Sequence, residues 1–309
     1  MPHGGLGARD RLLALTVVVV WGVNFLAADV ALRQFPPLLL TALRFAVLAI
    51  PTLLLVRPPK VPWRWLVGYG LGFGIIQFVF MYWGMSSGMP TGLASLVMQT
   101  SAPFTVVLGA VFLRERLGPV QLIGLAVAVG GLVVVGTSRA EQAALLPFLL
   151  TLIGALGWAL GNLSTRLAGP SEPLRFTLWM SVIPPVPMFL ASLLVDGPER
   201  MATAFTTLDT RTGWTALIGL AFTVVIATLV GSGLWSSLLA RHPAGVVAPY
   251  SLLVPVVGMT GAWLLLGEVP RLIEIGGAVL VVLGVALGSL RPPGRRRPRI
   301  LAQHAAQSR

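Results

Sequence analysis

"FLRERLGPVQLIGLAVAVGGL" (residues 112–132) and "LLLGEVPRLIEIGGAVLVVLG" (residues 264–284) decide how this chain is built. Glu115, Gly124 and Gly131 of the first stretch recur at identical spacing as Glu268, Gly277 and Gly284 of the second. Working outward, Pro90 and Gly92 in "MPTGLAS" correspond to Pro243 and Gly245 in "HPAGVVA", and Pro103 corresponds to Pro255. Trp83 precedes the first set as Trp235 precedes the second, and Trp21 in "WGVN" finds Trp158 in "WALGN". Matches that keep one order in both halves mean an internal duplication.

The solvent of the duplicated unit follows from composition. Of 309 residues, 56% are hydrophobic and only 10% are charged. Apolar runs long enough to cross a ~30 Å hydrocarbon core occur ten times, at roughly 12–32, 37–56, 65–85, 91–113, 119–137, 145–167, 174–195, 213–238, 244–266 and 271–290. The longest connection, around "VDGPERMATAFTTLDTRTG" (residues 195–213), leaves no room for a folded module outside the membrane. The expected fold class is therefore all-α integral membrane, with one repeat over residues 12–137, a second over 145–290, and a basic tail over 291–309. Each repeat holds five spans, an odd number, so the second copy enters the membrane from the opposite side. Inverted repeats give two near-equivalent arrangements, each open to one face, with a site between the halves near the midplane. That architecture suits a carrier better than a receptor or an intramembrane enzyme.

The formal charge of +12 needs positions before it can be interpreted. With the N-terminus inside, sixteen basic residues fall in inner segments and five (Arg33, Arg139, Arg200, Arg211 and Arg271) in outer ones, with Arg44 inside a span. This bias places both termini in the cytoplasm of a cell whose inner membrane holds the chain. The tail "RPPGRRRPR" then faces anionic headgroups, and no nucleic-acid module accompanies it. Arg9 and Arg11 before "LLALTVVVV" also fit a cleavable leader, but the first span has a counterpart in the second half and is expected to stay. No cysteine is present, and His3, His242 and His304 form no ligand cluster, so no metal, cofactor or catalytic residue is expected. The ladder "GYGLGFG" follows no strand, so its glycines read as close helix contacts rather than a phosphate loop.

Polar side chains within spans should face the bundle interior or a wet cavity. Asn24, Gln77, Gln99, Asn162, Tyr250 and Ser251 are accordingly the substrate-binding candidates, because amides and hydroxyls both donate and accept hydrogen bonds. Bonding from helix to helix is the competing reading for each of them. Trp21, Trp158 and Trp235 offer apolar or cation-binding walls, with an interfacial belt or plain packing as the competing reading. Structural or gating roles are expected for Pro103 and Pro255, which free a backbone carbonyl, and for Glu115 and Glu268, which have Arg114, Arg116 or Arg271 nearby. Arg44 lies ~10 Å into span 2 at helical rise, and Asp29 stands near the outer end of span 1. We expect the two to pair across the "RQFPP" turn, lowering the cost of burying each; the alternative is that Arg44 reaches loop carbonyls or the outer interface while Asp29 sits in headgroups.

The stretches "VVVVWGVNF", "PPLLLTALRF", "GMPTGLASLVMQTSAPFTVVLGAVFLRERL" and "VAPYSLLVPVVGM" resemble the EamA family of the drug/metabolite transporter superfamily, over about residues 12 to 290. The resemblance implies a ten-helix inner-membrane exporter with a central cavity lined largely by helices 1, 3, 4, 6, 8 and 9. It further implies small amphipathic metabolites as cargo, amino acids or derivatives such as cysteine and O-acetylserine among them. Uptake, or carriage of a lipid precursor, is the alternative within the same fold. A membrane enzyme or sensor would need a reactive constellation or an output domain. Where the family commonly has Lys eight residues after the first-helix Trp, this chain has Asp29. A homodimer is compatible with such a chain.

Overall fold

The computed structural model describes residues 6–115, 117–140, 145–242 and 244–289. Among them every regular element is helical. Nine helices are long and apolar enough to cross a bilayer: span 1 (Ala8–Leu32), span 2 (Pro37–Leu55), span 3 (Trp63–Ser86), span 4 (Thr91–Phe112), span 5 (Pro119–Ala140), span 6 (Leu145–Ala168), span 7 (Pro173–Val195), span 8 (Arg211–Arg241) and span 9 (Ala248–Leu266). Span 10 (Leu272–Gly288) is a shorter apolar helix. Large aliphatic side chains point outward along the bundle, among them Leu54 at 77% and Leu194 at 87% exposure. Water would penalise such a surface, and lipid does not. The protein is therefore an integral membrane protein, with ten apolar helices of this kind among the described residues. The basic tail 291–309, Arg116 and Pro243 lie outside the described residues.

In lipid the hydrophobic effect no longer drives helix against helix, so close packing of small residues must hold the bundle. Spans 5 and 10 show this most clearly, through the glycines that revealed the duplication. A β-carbon built on Gly131 would lie 2.7 Å from the Gly277 carbonyl oxygen and 2.7 Å from the Val281 nitrogen. One built on Gly284 would run into the Ala128 nitrogen and lie 2.6 Å from the Gly124 oxygen. The two backbones touch, and the contact reads the same from either repeat. The "GYGLGFG" ladder works similarly in span 3. A β-carbon on Gly72 would meet the Gly161 nitrogen at 2.6 Å in span 6, while those on Gly70 and Gly74 would collide with Ile183 and Pro184 of span 7.

The spans that build the centre are not continuous α-helices. Spans 3 and 8 each carry a π-helical segment, Gly70–Gln77 and Phe222–Gly231, at corresponding places in the two repeats. Spans 4 and 9 are each broken before their proline. Span 4 is α-helical over Thr91–Met98 and again over Ser101–Phe112. In span 9, Ala248–Leu253 is a 3-10 helix and Val254–Leu266 is α-helical. A proline cannot donate to the carbonyl four residues earlier and its ring crowds that carbonyl, which is Gln99 for Pro103 and Ser251 for Pro255. The Gln99 carbonyl is instead taken by Ala102 N–H at 3.1 Å. The Ser251 carbonyl accepts Gln99 Nε2 at 3.0 Å. The two breaks thus meet, and a side chain from one satisfies the backbone of the other.

Toward the face where span 4 begins, spans 4 and 9 are packed together. A β-carbon on Gly92 would lie 3.0 Å from Met259 Cα, and one on Gly258 would lie 2.5 Å from Ser95 Oγ. On the same side Arg139 and Glu274 form a buried ion pair at 3.4 Å, with Arg139 also reaching the Gly88 carbonyl at 3.4 Å. A short helix, Pro198–Thr206, closes over the turn after span 1, where Gln34 Nε2 donates to the Ala204 carbonyl at 2.8 Å and to Thr207 Oγ1 at 2.7 Å. At the opposite, N-terminal face, the later half of span 4 packs on span 6 and, among the described residues, makes no comparable packing with the start of span 9. The two helices diverge from their breaks toward the N-terminal face.

Candidate functional site

That divergence opens a cavity of about 440 Å³ between the two repeats, within the usual range for small-molecule sites. Eight of the nine substrate-binding candidates line it: Trp21, Asn24, Gln77, Gln99, Trp158, Asn162, Trp235 and Ser251. Spans 1, 3, 4, 6, 8 and 9 all contribute, joined by spans 2, 7 and 10 through Arg44, Thr177 and Val285.

Tyr250 does not line the cavity. It packs beside the small cluster of Leu6, Ala14, Leu238 and Val247. From this part of span 9, Ala248, Ser251, Leu252 and Val254 line the cavity, and Tyr250 points away from it.

The tryptophans form a wall with defined anchors. Trp21 Nε1 donates to the Ala227 carbonyl at 3.1 Å, and its ring lies 5.2 Å from that of Trp235. Trp158 meets Phe73 edge-on at 6.1 Å. Of the amides, Asn162 donates to Thr105 Oγ1 at 3.1 Å, and Gln99 holds Ser251 as described. For these two residues, bonding between helices coexists with exposure to the cavity. Asn24 and Gln77 differ, because Asn24 Oδ1 and Gln77 Oε1 are buried without a hydrogen-bond partner.

The expected pairing of Asp29 with Arg44 does not form. Asp29 pairs instead with Arg33, one helical turn further on, at 2.8 Å. A partner at i+4 on its own helix is reached without crossing the turn. Arg44, 5% exposed, turns inward. Its Nη1 donates to Tyr82 Oη at 3.1 Å and its Nη2 to Thr228 Oγ1 at 3.0 Å, and its guanidinium lies 4.2 Å from the centre of the Phe78 ring. Nε has no partner. Thr228 sits in the π-helical segment of span 8 and donates to the Thr223 carbonyl five residues back at 2.8 Å. The irregular helix thus presents to Arg44 an acceptor that a regular turn would place elsewhere. Among the described lining residues Arg44 carries the only charge. Its position within a span was the available signal, since an intramembrane charge is functional by default. The aromatic residues Tyr69, Phe73 and Phe78, also in the wall, gave none.

The two glutamates occupy unequal positions. Glu268 caps span 4, its Oε1 accepting Thr91 N–H at 2.8 Å and its Oε2 accepting Gly92 N–H at 3.0 Å. An ionised carboxylate suits a helix N-terminus, where backbone donors are unmatched and the dipole is positive. Glu115, its repeat partner at the N-terminal face, forms an ion pair with Arg166 of span 6. Asp10 joins the start of span 1 to the end of span 8 through Arg241 at 2.8 Å and His242 at 2.6 Å.

Two inverted sets of helices around one polar cavity, tightly packed at one face and parted at the other, define a membrane carrier. The chain belongs to the EamA-like transporter family, whose model matches residues 11–137 and again 145–290. It is a transporter, not an enzyme. A relative from Escherichia coli (strain K12), named a probable amino-acid metabolite efflux pump, is 42% identical over 91% of this chain and 94% of its own length. Its counterpart in Salmonella typhimurium, with the same name, is 40% identical over 96% of this chain and 99% of its own. A probable terminal-alkyne amino-acid exporter of Streptantibioticus cattleyicolor is 30% identical over 92% and 94%. One crystal structure of a protein shares the fold at a TM-score of 0.59 and 19% identity, covering 90% of this chain and 95% of that one.

Proposed function

We propose that this protein exports amino acids or close derivatives, cysteine and O-acetylserine among them, across the inner membrane by alternating access. Both termini lie in the cytoplasm in this reading, so the cavity is open to the side on which such metabolites are made. The observation that carries it is the cavity itself: amide, hydroxyl and guanidinium groups interleaved with indole rings, enclosed between inverted halves. Such a lining matches a small molecule with a polar backbone and a variable side chain. The names of the relatives supply the export direction.

The glutamates give the alternation a physical form. With Glu268 on the first turn of span 4, the outer halves of spans 4 and 9 are held together. By the repeat, Glu115 takes the corresponding role at the start of span 9 when the molecule opens outward, leaving Arg166. One cap is made as the other is released, and the broken helices at Gln99 and Ser251 absorb the change.

Reconstitution tests the reading. Proteoliposomes preloaded with labelled L-cysteine, O-acetyl-L-serine or other amino acids should show saturable efflux that protein-free vesicles lack. Efflux that responds to an imposed pH gradient would mean proton antiport, and indifference to it would mean facilitation. The absence of saturable flux for every amino acid would refute export of this class.

A further inference from the structure

We propose that Arg44 is the carboxylate anchor of the cavity, and that Asn24 and Gln77 receive the ammonium group of the same substrate. This rests on the reading that amino acids are the cargo, and it names the residues that recognise their common part. Three observations converge. Arg44 is nearly fully buried, yet its hydrogen-bond partners are two neutral hydroxyls, so its charge stays uncompensated by any acid in the described lining. Its Nε donor has no partner at all. Asn24 Oδ1 and Gln77 Oε1, in the same cavity, are buried acceptors equally without partners.

Buried polar atoms are nearly always satisfied, and unmatched ones call for an explanation. Here one cationic donor and two acceptors, each atom itself covered in the present packing, belong to residues that line one space. A guanidinium binds a carboxylate through charge-assisted, often bidentate bonds, and an ammonium has three donors for amide oxygens. The rings of Trp21 and Trp235 flank the same space and favour a cation over their faces. A zwitterion offers a partner to each of these three atoms, whereas an amine without a carboxylate would face the Arg44 charge unaided. Tyr82 and Thr228 then act as positioning residues that hold the guanidinium across spans 3 and 8.

The test is a titration of purified full-length protein, followed by fluorescence of the cavity tryptophans, with four related molecules under reducing conditions. L-Cysteine and 3-mercaptopropionate carry a carboxylate; L-cysteine methyl ester and cysteamine do not. The carboxylates should bind at least tenfold more tightly than the other two. Arg44→Gln should close that gap, and Arg44→Lys, which keeps the charge, should retain part of it. Equal binding of all four by the unmodified protein, binding of none, or a gap that survives Arg44→Gln would overturn the assignment. The comparison on unmodified protein stands even if a variant fails to fold. Carboxylate preference without saturable flux of any amino acid would uphold Arg44 and defeat the export reading. Flux with equal binding of the ester would do the reverse.

Discussion

Gly131→Val is expected to destabilise the folded protein by about 3 kcal/mol or more, while Gly130→Val, one residue away, should change stability by no more than about 0.5 kcal/mol. The contrast follows from what each new side chain meets. At Gly131 a β-carbon would stand 2.7 Å from backbone atoms of Gly277 and Val281, and neither can rotate aside. Spans 5 and 10 would have to move apart along their whole contact, including the mirrored approach of Gly284 to Gly124 and Ala128. At Gly130 nothing lies within 4 Å, so valine there would face lipid. Unfolding in detergent, followed by temperature or denaturant, measures both. Equal losses would mean that the glycine contact does not hold this pair of helices.

Glu268→Ala is expected to shift the conformational balance away from the state open at the N-terminal face, and Glu115→Ala is expected to shift it the other way. Removing the Glu268 carboxylate strips the cap from Thr91 and Gly92. Hydrogen bonds to a charged group are worth about 1.5–3 kcal/mol. A loss of about 2 kcal/mol changes the ratio of the two states roughly 30-fold. Glu115 contributes less in the state described, since its pair with Arg166 is half exposed and such pairs are worth about 0–1 kcal/mol. Its larger contribution belongs to the opposite state. The chain has no cysteine, so a single Ser236→Cys in the cavity wall reports access directly. Labelling from the N-terminal face should slow in Glu268→Ala and should not slow in Glu115→Ala. Shifts in the same direction for both would contradict the paired-cap account.

Much of this was legible in the sequence because lipid is an exacting solvent. A span must be apolar and about 20 residues long, so hydropathy alone located ten helices. A polar atom inside a span must find a reason to be there, and each amide and tryptophan picked out in the sequence as a candidate lies in the cavity wall, among many apolar residues that the sequence did not single out. What stayed hidden depended on local irregularity. Tyr250 was named only because it is a polar side chain within a span, and in the 3-10 part of span 9 it points away from the cavity. The π-helical segments of spans 3 and 8 left no mark in composition, yet one of them sets Thr228 against Arg44. Arg44 itself was visible as a misfit. The error lay in seeking its counter-charge in Asp29, which has a nearer partner in Arg33, while Arg44 turns toward the cavity. The breaks at Gln99 and Ser251 were half legible, since the prolines announced them but the bond between them crosses 152 residues of sequence.

The central claim is that the outer halves of spans 4 and 9 must separate for cargo to leave, and a reversible cross-link between them tests it most directly. A β-carbon on Gly92 would lie 3.3 Å from Ala262 Cβ, close to the ~3.8 Å typical of a disulfide. In the naturally cysteine-free chain, Gly92→Cys with Ala262→Cys should form that bond in the state described. Efflux from proteoliposomes should then stop on oxidation and return on reduction, with the reduced double variant as its own control. Undiminished efflux from fully cross-linked protein would contradict alternating access through this cavity.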